Sequence, residues 1–160
     1  MKNDRFLIGI VIGIVILVIV AIGVVLSRNQ TEAYVADDTP AGVVHNYFLA
    51  VQRQDYDKAY SYLSGEIKAK PDLNDFILTV ENYGGRPETA LKIDDTTIND
   101  GRAQVRVAIT TYTGGSLFDR GSYTTQDTVH LRTNPAGEWK ILQFPYPYWG
   151  YDWNNPADID

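Results

Sequence analysis

An α+β fold is what this 160-residue chain predicts, with helices packed on one face of an antiparallel sheet and an apolar helix ahead of both. Three observations carry that expectation. Residues 6–26 run without a charge, residues 40–80 repeat apolar side chains at helical spacing, and from residue 90 the apolar period drops to two.

The run 6–26 reads FLIGIVIGIVILVIVAIGVVL. At about 1.5 Å per residue a helix of this length covers the ~30 Å hydrocarbon core of a bilayer. Its β-branched residues are poor helix formers in water, but in lipid the backbone has no other partners. A secretory signal peptide is the competing reading. Its apolar region is shorter, about 7–15 residues, and a cleavage site follows closely, whereas Thr31-Glu32-Ala33 stands well past the end of this run. An uncleaved signal-anchor is therefore expected. Lys2 and Arg5 precede it, and Arg28 is followed by Glu32, Asp37 and Asp38. This bias predicts a cytoplasmic N-terminus at 1–5, a lipid-embedded 6–26 and an extracytoplasmic remainder. Gly9-xxx-Gly13 matches a helix-dimerisation spacing, which chance also produces in glycine-containing membrane helices. A homodimer stays open on that ground.

Beyond the run and a polar tether at 27–38, about 120 residues remain, enough for one domain with a real core. The net charge of −6 makes nucleic acid an unsuitable partner. The same charge repels anionic lipid and acidic wall polymers unless cations bridge them. There is no cysteine, which excludes a lipoprotein anchor, disulfides and thiol chemistry.

The domain is expected over 39–144. Thr39-Pro40 is a hydroxyl cap followed by proline in the first helical turn, and Val44, Tyr47, Phe48 and Val51 follow at packing intervals. Asp55 breaks the pattern and is placed to cap a second helix carrying Tyr56, Ala59, Tyr60 and Leu63. Asp72 caps a third with Leu73, Phe76, Ile77 and Val80, ended by Gly84-Gly85. Strands are then expected at 91–98 and 102–113, joined by the hairpin signal Asn99-Asp100-Gly101. A longer connection at 114–121 leads to a strand at 122–133. Asn134-Pro135-Ala136-Gly137 turns the chain into a last strand at 138–144. The remaining 145–160, PYPYWGYDWNNPADID, is aromatic and acidic.

The segment TPAGVVHNYFLAVQRQDYDKAYSYLS, with Tyr47, Phe48, Asp55, Tyr56, Ala59, Tyr60 and Leu63, resembles the opening helices of the nuclear transport factor 2-like superfamily. GEWKILQF, with Gly137, Trp139, Lys140 and Ile141, looks like its closing strand. The resemblance covers about 39–144 and implies a curved sheet wrapped round a long first helix as a cone. The superfamily holds isomerases, dehydratases and hydrolases beside non-catalytic modules, so the fold does not choose an activity.

An enzyme of this shape would need polar groups inside the cone. Strand parity puts Asp127 in phase with Val129 and Leu131, together with Tyr123 and Thr125. His45 lies at the edge of the first apolar stripe, and Tyr47 and Tyr60 lie within stripes. An aspartate base with tyrosine donors suits proton abstraction beside a carbonyl, a lyase- or isomerase-type step. The same residues have plain structural uses: tyrosines at helical spacing build cores, and a register slip of one residue would turn Asp127 outward. No metal or cofactor is expected. His45 and His130 are not at ligand spacing, the acidic pairs Asp37-Asp38 and Asp94-Asp95 stand apart, and no phosphate loop or nucleophile elbow occurs. Tyr146, Tyr148, Trp149, Tyr151 and Trp153 are the candidate contact residues. They suit a protein hot spot or sugar stacking if exposed, and core closure if folded back. The expectation adopted is a non-enzymatic extracytoplasmic binding or scaffold domain for an envelope protein, with a polar-site enzyme or a wall-glycan binder as alternatives.

Overall fold

The computed structural model describes residues 3–28, 32–69, 71–82, 88–116 and 119–147. Two compact units divide the chain, Met1–Ala33 and Tyr34–Asp160.

The first unit holds one helix, α1 (Asn3–Arg28), 26 residues long. Its large side chains are exposed, Leu17 by 69% and Ile19 by 63%. A helix that is apolar all round normally belongs inside a protein or a bilayer. Its side chains are described for 8–23, and among the described residues no helix is long and apolar enough to cross a membrane.

The second unit runs α2 (Pro40–Gln52), α3 (Tyr56–Ser61), a 3-10 turn (Ile67–Ala69), α4 (Leu73–Asn82), β1 (Glu88–Asn99), β2 (Arg102–Ser116), β3 (Asp119–Thr133) and β4 (Trp139–Ile141). The four strands lie in the order β1-β2-β3-β4, each antiparallel to its neighbour. This is the α+β architecture the periodicities predict.

Local chemistry explains most boundaries. Thr39 caps α2, its hydroxyl accepting the Gly42 N–H at 3.1 Å, and Pro40 stands in the first turn. Asp72 caps α4 by accepting the Asp75 N–H at 2.9 Å. Asp55 departs from expectation: its side chain makes no cap bond to α3 and accepts the Tyr34 hydroxyl at 3.2 Å instead. Asp100 and Gly101 both take positive φ, 48° and 72°, the geometry of a two-residue hairpin whose twist matches its strands. Asn134 closes the β3–β4 turn by accepting N–H groups from Ala136 (3.0 Å) and Glu138 (2.9 Å). The Gly84-Gly85 stop lies outside the described residues.

The strands depart from expectation in four places, the first being that β1 runs Glu88–Asn99 where 91–98 is expected. β2 and β3 extend into the connection expected at 114–121, reaching a Ser116–Asp119 pair after an irregularity beyond Thr113. β1 carries a register shift between Ile93 and Asp95, so Asp94 is an extra residue in the strand. β4 is only Trp139–Ile141, shorter than 138–144. Its other side is occupied: Ile141 N–H donates to the Tyr62 carbonyl (2.9 Å) and Ser64 N–H to the Ile141 carbonyl (2.8 Å). The chain then leaves the sheet so that Phe144 can enter the core against Phe76, ring centroids 6.1 Å apart.

The core lies between α2 and one face of the sheet. Val105, Val107, Ile109, Val129 and Ile141 on that face are fully buried. Helix α2 buries far more than the stripe Val44, Tyr47, Phe48 and Val51, because Val43, Asn46, Leu49 and Ala50 are also covered. The extra cover comes partly from residues just ahead of the helix. Asn46, 1% exposed, accepts the Val35 N–H at 2.9 Å and donates to the Val35 carbonyl at 2.8 Å. The Tyr34 ring lies under Lys58 (3.5 Å to the centroid) and Arg53 (5.0 Å). Within the stretch expected as a polar tether, 27–38, Val35 is hydrogen-bonded to α2, and Ser27 and Arg28 belong to α1.

Gly42 permits this approach. A Cβ there would press on the Ala36 carbonyl oxygen, closer than real Cβ contacts come. Gly42→Ala should therefore lower stability by about 1–3 kcal/mol in chemical denaturation. Asn46→Ala should cost a similar ~1–3 kcal/mol by stranding both polar groups of Val35. A Gly42→Ala protein as stable as its parent would show that residue 36 does not lie against α2.

Candidate functional site

The β2–β3 register decides which side chains share the helix-facing side. Leu131 opposes Ala103, Val129 opposes Val105, Asp127 opposes Val107, Thr125 opposes Ile109 and Tyr123 opposes Thr111. Read toward the distal end of β3, this face changes from apolar to polar. Asp127 therefore stands on the helix-facing side, as its parity predicts.

The chain crosses this polar region after Phe144. Asp127 Oδ2 accepts the Tyr146 N–H at 3.4 Å and Oδ1 accepts the Thr128 N–H at 2.7 Å. The Tyr146 and Tyr123 hydroxyls meet at 3.2 Å, while the Thr111 hydroxyl nearby on the same face is buried without a hydrogen-bond partner among the described residues. The Tyr146 phenol is raised above 10.0, first by the Tyr123 hydrogen bond and then by burial. Asp127, Tyr123 and Tyr146 thus form one cluster. The carboxylate carries backbone N–H groups, as a fold-closing residue does, and Tyr146 takes the folded-back position among the alternatives for the tail.

The other candidates lie elsewhere. Tyr47 is fully buried in α2, edge-on to Phe48 at 5.7 Å between centroids. The Tyr60 hydroxyl donates to the carbonyls of Pro71 (2.9 Å) and Lys68 (3.3 Å), and its ring lies 5.7 Å from that of Phe76. That use ties α3 to the 3-10 turn and α4. His45 is half-buried on α2. His130 lines a shallow hollow of about 430 Å³ with Arg106, Gln126, Asp127 and Gln143. Tyr148, Trp149, Tyr151 and Trp153 lie outside the described residues. Among the described residues no group of His, Cys, Asp or Glu could hold a metal ion.

Sequence reasoning missed Asn46, Tyr34 and Gly42. Asn46 had a signal, an amide inside the otherwise apolar VVHNYFLAV. Tyr34 had none, since its partners Arg53, Asp55 and Lys58 are assembled by the break between α2 and α3.

No family model matches the chain, and no curated protein matches it. Among solved structures it is similar to a SEC-C motif containing protein from Rhodopseudomonas palustris, with TM-score 0.55 and 15% identity over 76% of this chain and 84% of that one. The likeness is one of fold. It is also similar to a Campylobacter jejuni protein named for NTF2-like transpeptidases (TM-score 0.44, 22% identity, 66% of this chain and 99% of that one). A third is a Shewanella frigidimarina protein named for ketosteroid isomerases (TM-score 0.46, 17% identity, 68% and 95%).

Two outcomes follow from the Asp127–Tyr146–Tyr123 cluster. Asp127→Ala should destabilise the domain by about 1–3 kcal/mol in denaturant, because the Tyr146 N–H loses its acceptor. Tyr123→Phe should bring the Tyr146 phenol back toward 10.0 in a phenolate absorbance titration. A folded-state value above the unfolded one favours the fold below pH 10.0, and that contribution fades as pH rises through the raised value. Tyr146 titrating identically in both proteins would show that the two hydroxyls do not meet.

Proposed function

We propose that this chain is a single-pass membrane protein displaying a non-enzymatic binding domain of the nuclear transport factor 2-like type on the extracytoplasmic side. The observation that carries the non-enzymatic reading is the use of Asp127. The one carboxylate that parity brings to the inner face is held by the Tyr146 and Thr128 N–H groups, beside a core filled by Phe48, Phe76 and Phe144. Those two bonds give the carboxylate a structural use in closing the fold.

The anchor is supported by the uncharged run 6–26 and by the 26-residue helix that contains it. The described side chains, 8–23, make only part of a ~30 Å span, and the whole run is what reaches across. The α+β order and four-stranded sheet support the family reading. The mechanism is positional: membrane confinement raises the domain's effective concentration toward an envelope protein partner without new contacts. A homodimer through Gly9 and Gly13 is compatible with this arrangement.

The Tyr123 and Tyr146 hydroxyls and the buried, unpartnered hydroxyl of Thr111 favour one second reading, a small-molecule site opened when Tyr146 moves off Tyr123.

The deciding experiment uses the full chain in bacterial membranes. It should resist alkaline extraction, and protease added outside spheroplasts should remove the domain but spare the N-terminus. Release by alkali, or a domain protected from outside protease, would end the anchored reading. Crosslinking in the same membranes should capture an envelope protein, and Asp127→Asn should leave that capture unchanged. Capture unaltered by Trp149→Ala with Trp153→Ala would remove the aromatic tail from the contact.

A further inference from the structure

We propose that the groove between the segment 61–68 and the β3–β4 turn binds a small organic anion, a carboxylate or phosphate carried on an apolar body. This site lies apart from the inner-face cluster, and the inference stands whether or not α1 is a membrane anchor.

The groove has a volume of about 730 Å³, within the ~300–1,000 Å³ usual for small-molecule sites. Leu63 and Leu142 supply apolar lining, while Lys68, Arg132 and Lys140 converge on the same space. Glu66 is the acid in that lining, and it is ion-paired with Arg132 where both are half-exposed. Lys140 Nζ is tethered, 3.1 Å from the Ser61 carbonyl and 3.2 Å from the Glu138 carboxylate.

Lys68 is differently placed. Among the described residues it makes no ion pair, and its ammonium stands 4.8 Å from the centre of the Tyr60 ring. Burial, and then the like charge of Lys140, push its pKa below 10.5. Lys68 is a partly desolvated cation with no carboxylate beside it, Lys140 being paired with Glu138, and an anion in the groove would supply the missing partner. Half-buried Leu142 and exposed Pro135 give an apolar body something to cover, so a bare inorganic ion would use only part of the site. The chain's charge of −6 opposes long polyanions. A small anion feels mainly the groove, because charges beyond about 8–10 Å are screened at physiological salt.

The test uses the full chain kept soluble in mild detergent, which serves whether or not α1 inserts in lipid, with three probes of similar size: 4-phenylbutyrate, phenyl phosphate and 4-phenylbutanol. Both anions should bind, with the alcohol weaker by about tenfold or more. The stronger of the two anions identifies a carboxylate or a phosphate source. Lys68→Gln should weaken both anions by about tenfold, whereas Arg53→Gln, which removes a cation stacked on Tyr34, should leave them unchanged. Equal binding of alcohol and anions, or no effect of Lys68→Gln, overturns the proposal. A second measurement needs no variant: bound phenylbutyrate should slow acetylation of the Lys68 amine, read by mass spectrometry. An unchanged acetylation rate also overturns it.

Discussion

Burying α2 on nearly every side is the constraint on which the rest of the domain depends. A helix that exposes almost none of its surface needs cover from several directions. The sheet supplies one wall through Val105, Val107 and Ile109, and α3 supplies another. Part of the remainder is closed by the chain that leads into the helix, held by Asn46 and admitted by Gly42. A buried amide is costly unless its hydrogen bonds are made, and here the Val35 peptide groups complete Asn46 while Asn46 completes them. The domain thus begins at residue 34 because the core needs that segment, five residues ahead of the cap at Thr39.

The same demand for cover shapes the far end of the sheet. β4, paired with β3 on one side and the 62–64 segment on the other, is short because the chain leaves the sheet after Ile141 to bury Phe144. Once Phe144 turns inward against Phe76, the following residues must cross the polar end of the inner face. There they meet Asp127 and Tyr123, and the carboxylate accepts the Tyr146 amide. The same packing that places Phe144 thus gives Asp127 its two backbone partners, the Tyr146 and Thr128 N–H groups.

Charge is distributed against the average. The chain is acidic at −6, yet Lys68, Arg132 and Lys140 share one groove, and Arg53 and Lys58 share the ring of Tyr34. Both groupings arise where the loops after α2 and α3 meet segments distant in sequence. Net charge therefore governs long-range repulsion of polyanions, while the local fields come from the fold.

The sequence by itself determined the elements whose causes are local. The apolar run, the caps at Thr39 and Asp72, the Asp100-Gly101 hairpin and the inward parity of Asp127 depend on residues within a few positions of one another. Periods of 3.6 and 2 sort faces without knowledge of partners. What only the tertiary structure decided is how each polar group is used. Asp55 accepts a tyrosine hydroxyl 21 residues away instead of capping α3, and Arg132 pairs with Glu66 from 66 residues away. The length of β4 and the convergence of Lys68 with Lys140 follow from the same long-range meetings. Such pairings depend on which surfaces burial presses together, and no local spacing in the chain records that.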